Sequence, residues 1–172
     1  MAPNQHALSL EEIQNYLRLF ENINHKTNYS CLFEFVGLEK PESVEATLQK
    51  YYEEMADIAP DSLALDRVAD AKAALQTALV PWLFNFLIKG DQYVLPEEYR
   101  ELIDVDEDVR YWNRFMPPGT VLGLVESMLR VAQPTATYKV NIQPMRLYEL
   151  VWEDFALEGE DQVFLLHLGF CD

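Results

Sequence analysis

The segment Gln162–Phe170 constrains the fold of this chain more than any other, because it is apolar on both faces. A short run of this kind reads as a central strand, so a β-sheet is required around it. Just upstream, Tyr138, Val140 and Ile142 alternate with Lys139, Asn141 and Gln143, the period of a strand with one wet face. Leu157–Asp161, around Gly159, reads as the hairpin loop leading into the central strand. Arg146–Phe155 fits a helix poorly and a strand about equally well, and stays open. Nearer the start, Tyr29, Cys31, Phe33 and Phe35 alternate with Ser30 and Glu34, a half-buried strand closed by Gly37.

Helical periods fill much of the rest. Ser9-Leu10-Glu11-Glu12 is a capping box, and Leu10, Ile13, Leu17 and Phe20 carry a helix to about Asn22. Lys40-Pro41-Glu42-Ser43 starts a second helix, with Val44, Leu48, Tyr51, Tyr52, Met55 and Ile58 inward, broken by Pro60-Asp61-Ser62. A third helix is expected with Leu65, Val68, Leu75 and Leu79 inward. Pro81 either kinks it or opens a buried central helix over Trp82–Ile88 that Gly90 ends. Leu95-Pro96-Glu97-Glu98-Tyr99 reads as a short helix start, and Val105, Val109, Trp112 and Met116 as an amphipathic helix stopped by Met116-Pro117-Pro118-Gly119. Val121, Leu124, Val125, Met128 and Ala132 form a further helix, ended by Gln133-Pro134. The expected fold is α+β in one domain over residues 1–172, with residues 1–8 a tail. Its N-terminal three-quarters is helix-rich and packs on a small, mostly antiparallel C-terminal sheet joined by an N-terminal strand.

Charge carries the strongest functional signal. Asp91–Asp108 holds eight acids and one base, and Leu147–Asp172 seven acids and no Lys or Arg; together they supply −14 of a net −16. Since 49% of residues are apolar and 12% aromatic, the charge does not signal disorder. A concentrated negative field favours basic proteins and disfavours nucleic acid and anionic membrane. The start of the chain shows no signal peptide, and the most apolar run, Ala78–Ile88, is too short to span a bilayer. Cys31 and Cys171 read as reduced thiols, with a disulfide between them as the alternative, so a cytoplasmic location is expected.

Motifs for chemistry are missing. Asp104-Val105-Asp106-Glu107-Asp108 begins like a calcium loop, but Val109 stands where the sharp turn needs Gly and Phe115 where a bidentate Glu belongs. The run reads instead as an acidic helix cap. His6, His25 and His167 have no zinc-ligand spacing. His167, in an apolar strand, reads as a hydrogen-bonded core histidine; it is also the residue to watch if an active site exists. No nucleophile elbow or phosphate-binding loop occurs. No metal and no cofactor is expected.

Leu95-Pro96-Glu97-Glu98-Tyr99-Arg100-Glu101-Leu102 is similar to the opening helix of SMI1/KNR4-type domains, α+β proteins of which many bacterial members neutralise toxins. The similarity covers eight residues and falls mid-chain, and the Asn-Gly that usually follows is replaced by the Asp104–Asp108 run. It implies an inhibitor but assigns no family. The function expected is a non-enzymatic, acidic protein-binding module, inhibitor- or antitoxin-like, docking on a basic partner. Asp104, Asp106, Glu107, Asp108, Glu153 and Asp154 would steer, and Trp112 would anchor. The alternatives are a subunit of a larger assembly and an enzyme of unrecognised class.

Overall fold

A computed structural model describes residues 8–25, 30–56, 60–84, 88–89, 92–93, 108–144, 149 and 151–171; the side chains of 55–56, 88–89, 92–93, 108–118, 144 and 171 lie outside the description. Chain order is α1 (Leu10–His25), β1 (Ser30–Glu39), α2 (Val44–Ala56), β2 (Pro60–Arg67) and α3 (Ala71–Leu83). The two-residue strands β3 (Ile88–Lys89) and β4 (Gln92–Tyr93) follow, then α4 (Asp108–Ala132), β5 (Ala136–Pro144), β6 (Val151–Glu158) and β7 (Gln162–Cys171).

Five strands form one sheet in the order β1-β7-β6-β5-β2, every neighbouring pair antiparallel. β7 lies between β1 and β6, as its two apolar faces require. Phe164, Leu166 and Leu168 point to one side, into a core with Phe33 and Phe35 of β1 and buried residues of α1, α3 and α4. Val163 and Leu165 point to the other side, where Val44, Leu48 and Tyr52 of α2 cover them. The sheet is therefore sandwiched between three helices and one.

This arrangement corrects the expected division into a helical front and a small C-terminal sheet. The fold is α+β, but helices and strands alternate from the start, and two of the five sheet strands come from the first 67 residues. Pro60–Arg67 is a strand, not the start of a third helix. Leu63 and Leu65 alternate with exposed Ser62, Ala64 and Asp66, and Pro60 sits at the strand's first position, where its missing donor is tolerated. The third helix begins later, capped by Asp70, whose Oδ1 accepts from the Ala73 N–H at 3.0 Å.

The buried helix expected over Trp82–Ile88 is also corrected. α3 carries Pro81 within it and ends at Leu83, and Ile88 belongs to β3. Met116-Pro117-Pro118-Gly119 does not stop a helix: α4 runs through it, although each proline removes an intrahelical donor. Beyond the prolines Val121, Leu124, Val125 and Met128 are all buried, and tertiary packing of that face holds the helix on its course. Its end falls where expected, with Gln133 in the left-handed region at φ 42° before Pro134.

The capping box is present: the Ser9 N–H donates to Glu12 Oε2 at 2.7 Å and the Glu12 N–H donates to Ser9 Oγ at 3.2 Å. β1 continues through Gly37 to Glu39. It is an outer strand, yet side chains of α1 occupy its free edge. Gln14 Nε2 donates to the Phe33 carbonyl at 2.9 Å, while its Oε1 accepts from the Phe35 N–H at 2.8 Å. Glu21 Oε1 accepts from the Phe33 N–H at 2.6 Å. Backbone groups that would otherwise invite another strand are thereby satisfied.

Candidate functional site

Antiparallel pairing sets Asp154 of β6 opposite His167 of β7, and His167 opposite Glu34 of β1. Three polar side chains thus form a row across adjacent strands, on the face that α2 covers. Asp154 and His167 are 0% and 1% exposed. A charge removed from water this completely needs partners, and the surrounding elements supply them.

His167 Nδ1 donates to Asp154 Oδ1 at 2.6 Å. Asp154 Oδ2 accepts from the Tyr52 hydroxyl, also at 2.6 Å. Tyr51, the preceding residue of α2, points its hydroxyl at Glu34 Oε2 from 3.5 Å and meets Tyr52 edge to face. From the segment before β6, the buried Glu149 brings Oε2 to 3.4 Å from His167 Nε2. Its carboxylate lies over Gly169, two residues along β7 from His167, and a Cβ there would overlap it. Gly169 is thus required by close approach rather than by backbone angle.

Burial pulls the His167 pKa down, but the hydrogen bond to Asp154, the close approach of Glu149 and the two negative charges outweigh it and raise it to about 9. The ring is therefore an imidazolium at neutral pH, between two carboxylates. Tyr51 is raised by burial and by the charges of Glu34 and Asp154, so its hydroxyl stays protonated. Burial, with the charges of Glu21 and Glu149, lifts the free thiol of Cys31 to about 11. A thiol so protonated is a core group and not a nucleophile.

Chemically, this arrangement braces β7, β6 and α2 through a fixed proton. A general base must reach the proton it removes, whereas His167 already holds its proton and is covered by α2. Three surface clefts lined by described residues lie elsewhere. One runs between α1 and α4 and is lined by Tyr16, Phe20, Gly123, Ser127 and Arg130; two others flank Arg67–Thr137 and Ala132–Gln162. Among the described residues, no group of three His, Cys, Asp or Glu side chains could hold a metal ion.

The residues expected to bind a partner separate. Asp104, Asp106 and Glu107 lie outside the described residues, and Asp108 and Trp112 belong to α4 with side chains outside the description. Glu153 and Asp154 are adjacent in β6 and so project to opposite faces. Glu153 accepts from Lys139 Nζ at 2.7 Å and from Trp82 Nε1 at 3.1 Å. Asp154 is enclosed, which corrects its expected place on a docking surface. Tyr51, Tyr52, Glu34 and Gly169 were not expected at a site, and Glu149, expected within the acidic docking segment Glu149–Asp161, is buried instead. The pair follows from strand register: the hairpin turns at Glu160-Asp161, and only that register brings Asp154 opposite His167.

Fold and site together define an α+β protein with an all-antiparallel sheet and a buried carboxylate–imidazolium–carboxylate brace. No family model, no curated protein and no solved structure matches this chain. The octet Leu95–Leu102 falls outside the described residues. Among described residues, no helix is long and apolar enough to cross a membrane.

Proposed function

We propose that this protein is a non-enzymatic protein-binding module that docks through its acidic surface on a basic surface of a partner protein. The observation that carries this reading is where the excess charge remains once the internal ion pairs are made. Lys40, Lys50, Lys72 and Lys139 pair with Glu158, Glu54, Glu126 and Glu153, and His167 is held by Asp154 and Glu149. Glu42, Glu45 and Glu53, at the start and along the outward side of α2, are exposed and lie outside those pairs. With a net charge of −16, such a surface accelerates encounter with a basic protein and repels nucleic acid. In its sharper form the module is an inhibitor, antitoxin-like, that occludes a basic active site. The reduced, buried Cys31 supports a cytoplasmic setting.

The test is affinity capture at low salt, followed by a salt gradient and identification of what elutes. The reading expects one basic protein, released over a narrow salt range and lost when Asp104, Asp106 and Asp108 are all changed to Asn. Capture that survives the triple change, or a partner that resists high salt, contradicts it.

A further inference from the structure

We propose that β2, the free edge of the sheet, pairs antiparallel with β2 of a second copy of this chain, with Ala64 opposite Ala64 across a two-fold axis. The two edges of the sheet are treated differently. At the middle of β1 the outward N–H and C=O of Phe33 and the N–H of Phe35 are taken by Gln14 and Glu21. Among the described residues, β2 has no such cover. The Val68 N–H donates to the Thr137 carbonyl at 2.8 Å, and the same register pairs Asp66 with Lys139 and Ala64 with Asn141. Even-numbered residues therefore direct their backbone groups at β5. Leu63, Leu65 and Arg67 direct theirs outward, where no described residue bonds them.

The sequence of this edge is complementary to itself. About Ala64, an antiparallel copy sets Leu63 against Leu65 and Ser62 against Asp66, and brings Asp61, at the bulge that follows Pro60, to the end of the ladder where Arg67 lies. Leu63 and Leu65 are the hydrogen-bonded pairs of such a ladder, so their outward N–H and C=O groups are satisfied in both directions. Their side chains, part-buried beneath α2, continue the same apolar layer across the axis. On the opposite face Ser62, Ala64 and Asp66 are exposed, and alanine is small enough for close approach at the axis. Exposed Asp61, at the bulge, and exposed Arg67 then come together with opposite charge at both ends of the ladder. Sliding the copy by two residues keeps the backbone pairing but sets Leu63 against either itself or Arg67, and the charged ends no longer match. Edge charges usually discourage pairing with other strands; here their placement admits one register.

The net charge of −16 on each copy opposes association at low ionic strength, so the dimer is expected to strengthen as salt screens that repulsion. Sedimentation of the full chain up to about 0.5 mM, at about 0.15 M and about 0.5 M salt, reads this directly. Register is read by cysteine scanning. At a non-hydrogen-bonded pair the two Cα atoms are about 4.5 Å apart, within disulfide reach. Mild oxidation is thus expected to cross-link A64C to itself but not S62C, which faces Asp66, nor the unaltered chain with its own cysteines. R67D is expected to weaken association at least tenfold and D61R/R67D to restore it. Exposed positions 61 and 67 make these variants fold as the parent does, which circular dichroism checks. A monomer at every concentration, equal cross-linking of A64C and S62C, or a dimer indifferent to R67D overturns the proposal.

Discussion

Asp154 and His167 stand opposite each other on neighbouring strands and join through Oδ1 and Nδ1 at 2.6 Å, in the interior of the protein. With Glu149 on the other ring nitrogen, the pair holds a proton that solvent does not reach. The consequences are measurable as stability.

A histidine whose folded pKa stands above its unfolded value stabilises the fold at low pH. For His167 the contribution is complete below its ordinary 6.5 and is lost as pH rises through about 9. The size is of order 3 kcal/mol, from about 1.4 kcal/mol per unit. Urea titrations are expected to show unfolding free energy falling across that window, and H167Q is expected to flatten the fall. An equally steep profile in H167Q would count against this assignment.

Tyr52 donates the second short bond to Asp154. Y52F keeps the ring and removes the donor, leaving a buried carboxylate oxygen unsatisfied, at an expected cost of about 1.5–3 kcal/mol. D154A should cost more, about 3–5 kcal/mol, since it leaves the imidazolium between fewer counter-charges. Chemical denaturation of the two variants ranks them, and a milder effect for D154A than for Y52F would contradict the geometry.

Gly169 admits the Glu149 carboxylate, and a methyl group there displaces it from His167. G169A is expected to destabilise by about 1–3 kcal/mol through overpacking. In the E149A background the same change should cost much less, because the clash is gone. Additive costs in the double variant would show that Glu149 is not what Gly169 makes room for.

Gln14 closes the β1 edge by bonding both the Phe33 carbonyl and the Phe35 N–H. Q14A is expected to cost about 1–3 kcal/mol and to speed hydrogen exchange at the Phe35 amide. Unchanged exchange there would mean that something else guards this edge.

Elements whose period continued over several residues were legible in the sequence. Those include α1 with its capping box, the alternation of β1 and β5, and β7, whose two apolar faces placed it inside the sheet. β2 was not, because Leu65 and Val68 also fit a helical period with Leu75 and Leu79, and only pairing with β5 resolves a short segment of that kind. Nor was α4, since Pro117 and Pro118 are local stop signals that packing of a distant face overrides.

The site divides in the same way. His167 reads as a buried, hydrogen-bonded histidine from its apolar strand alone. That its partner is Asp154, and that neighbouring Glu153 faces Lys139 and Trp82, depends on strand register. That Asp154 tolerates complete burial depends on Tyr52, 102 residues away in sequence. Composition and local period determined how much charge this chain carries and which segments form several of its helices and strands. Tertiary structure alone decided which acids are enclosed, because the cost of burying a charge is set by groups brought to it from elsewhere in the chain.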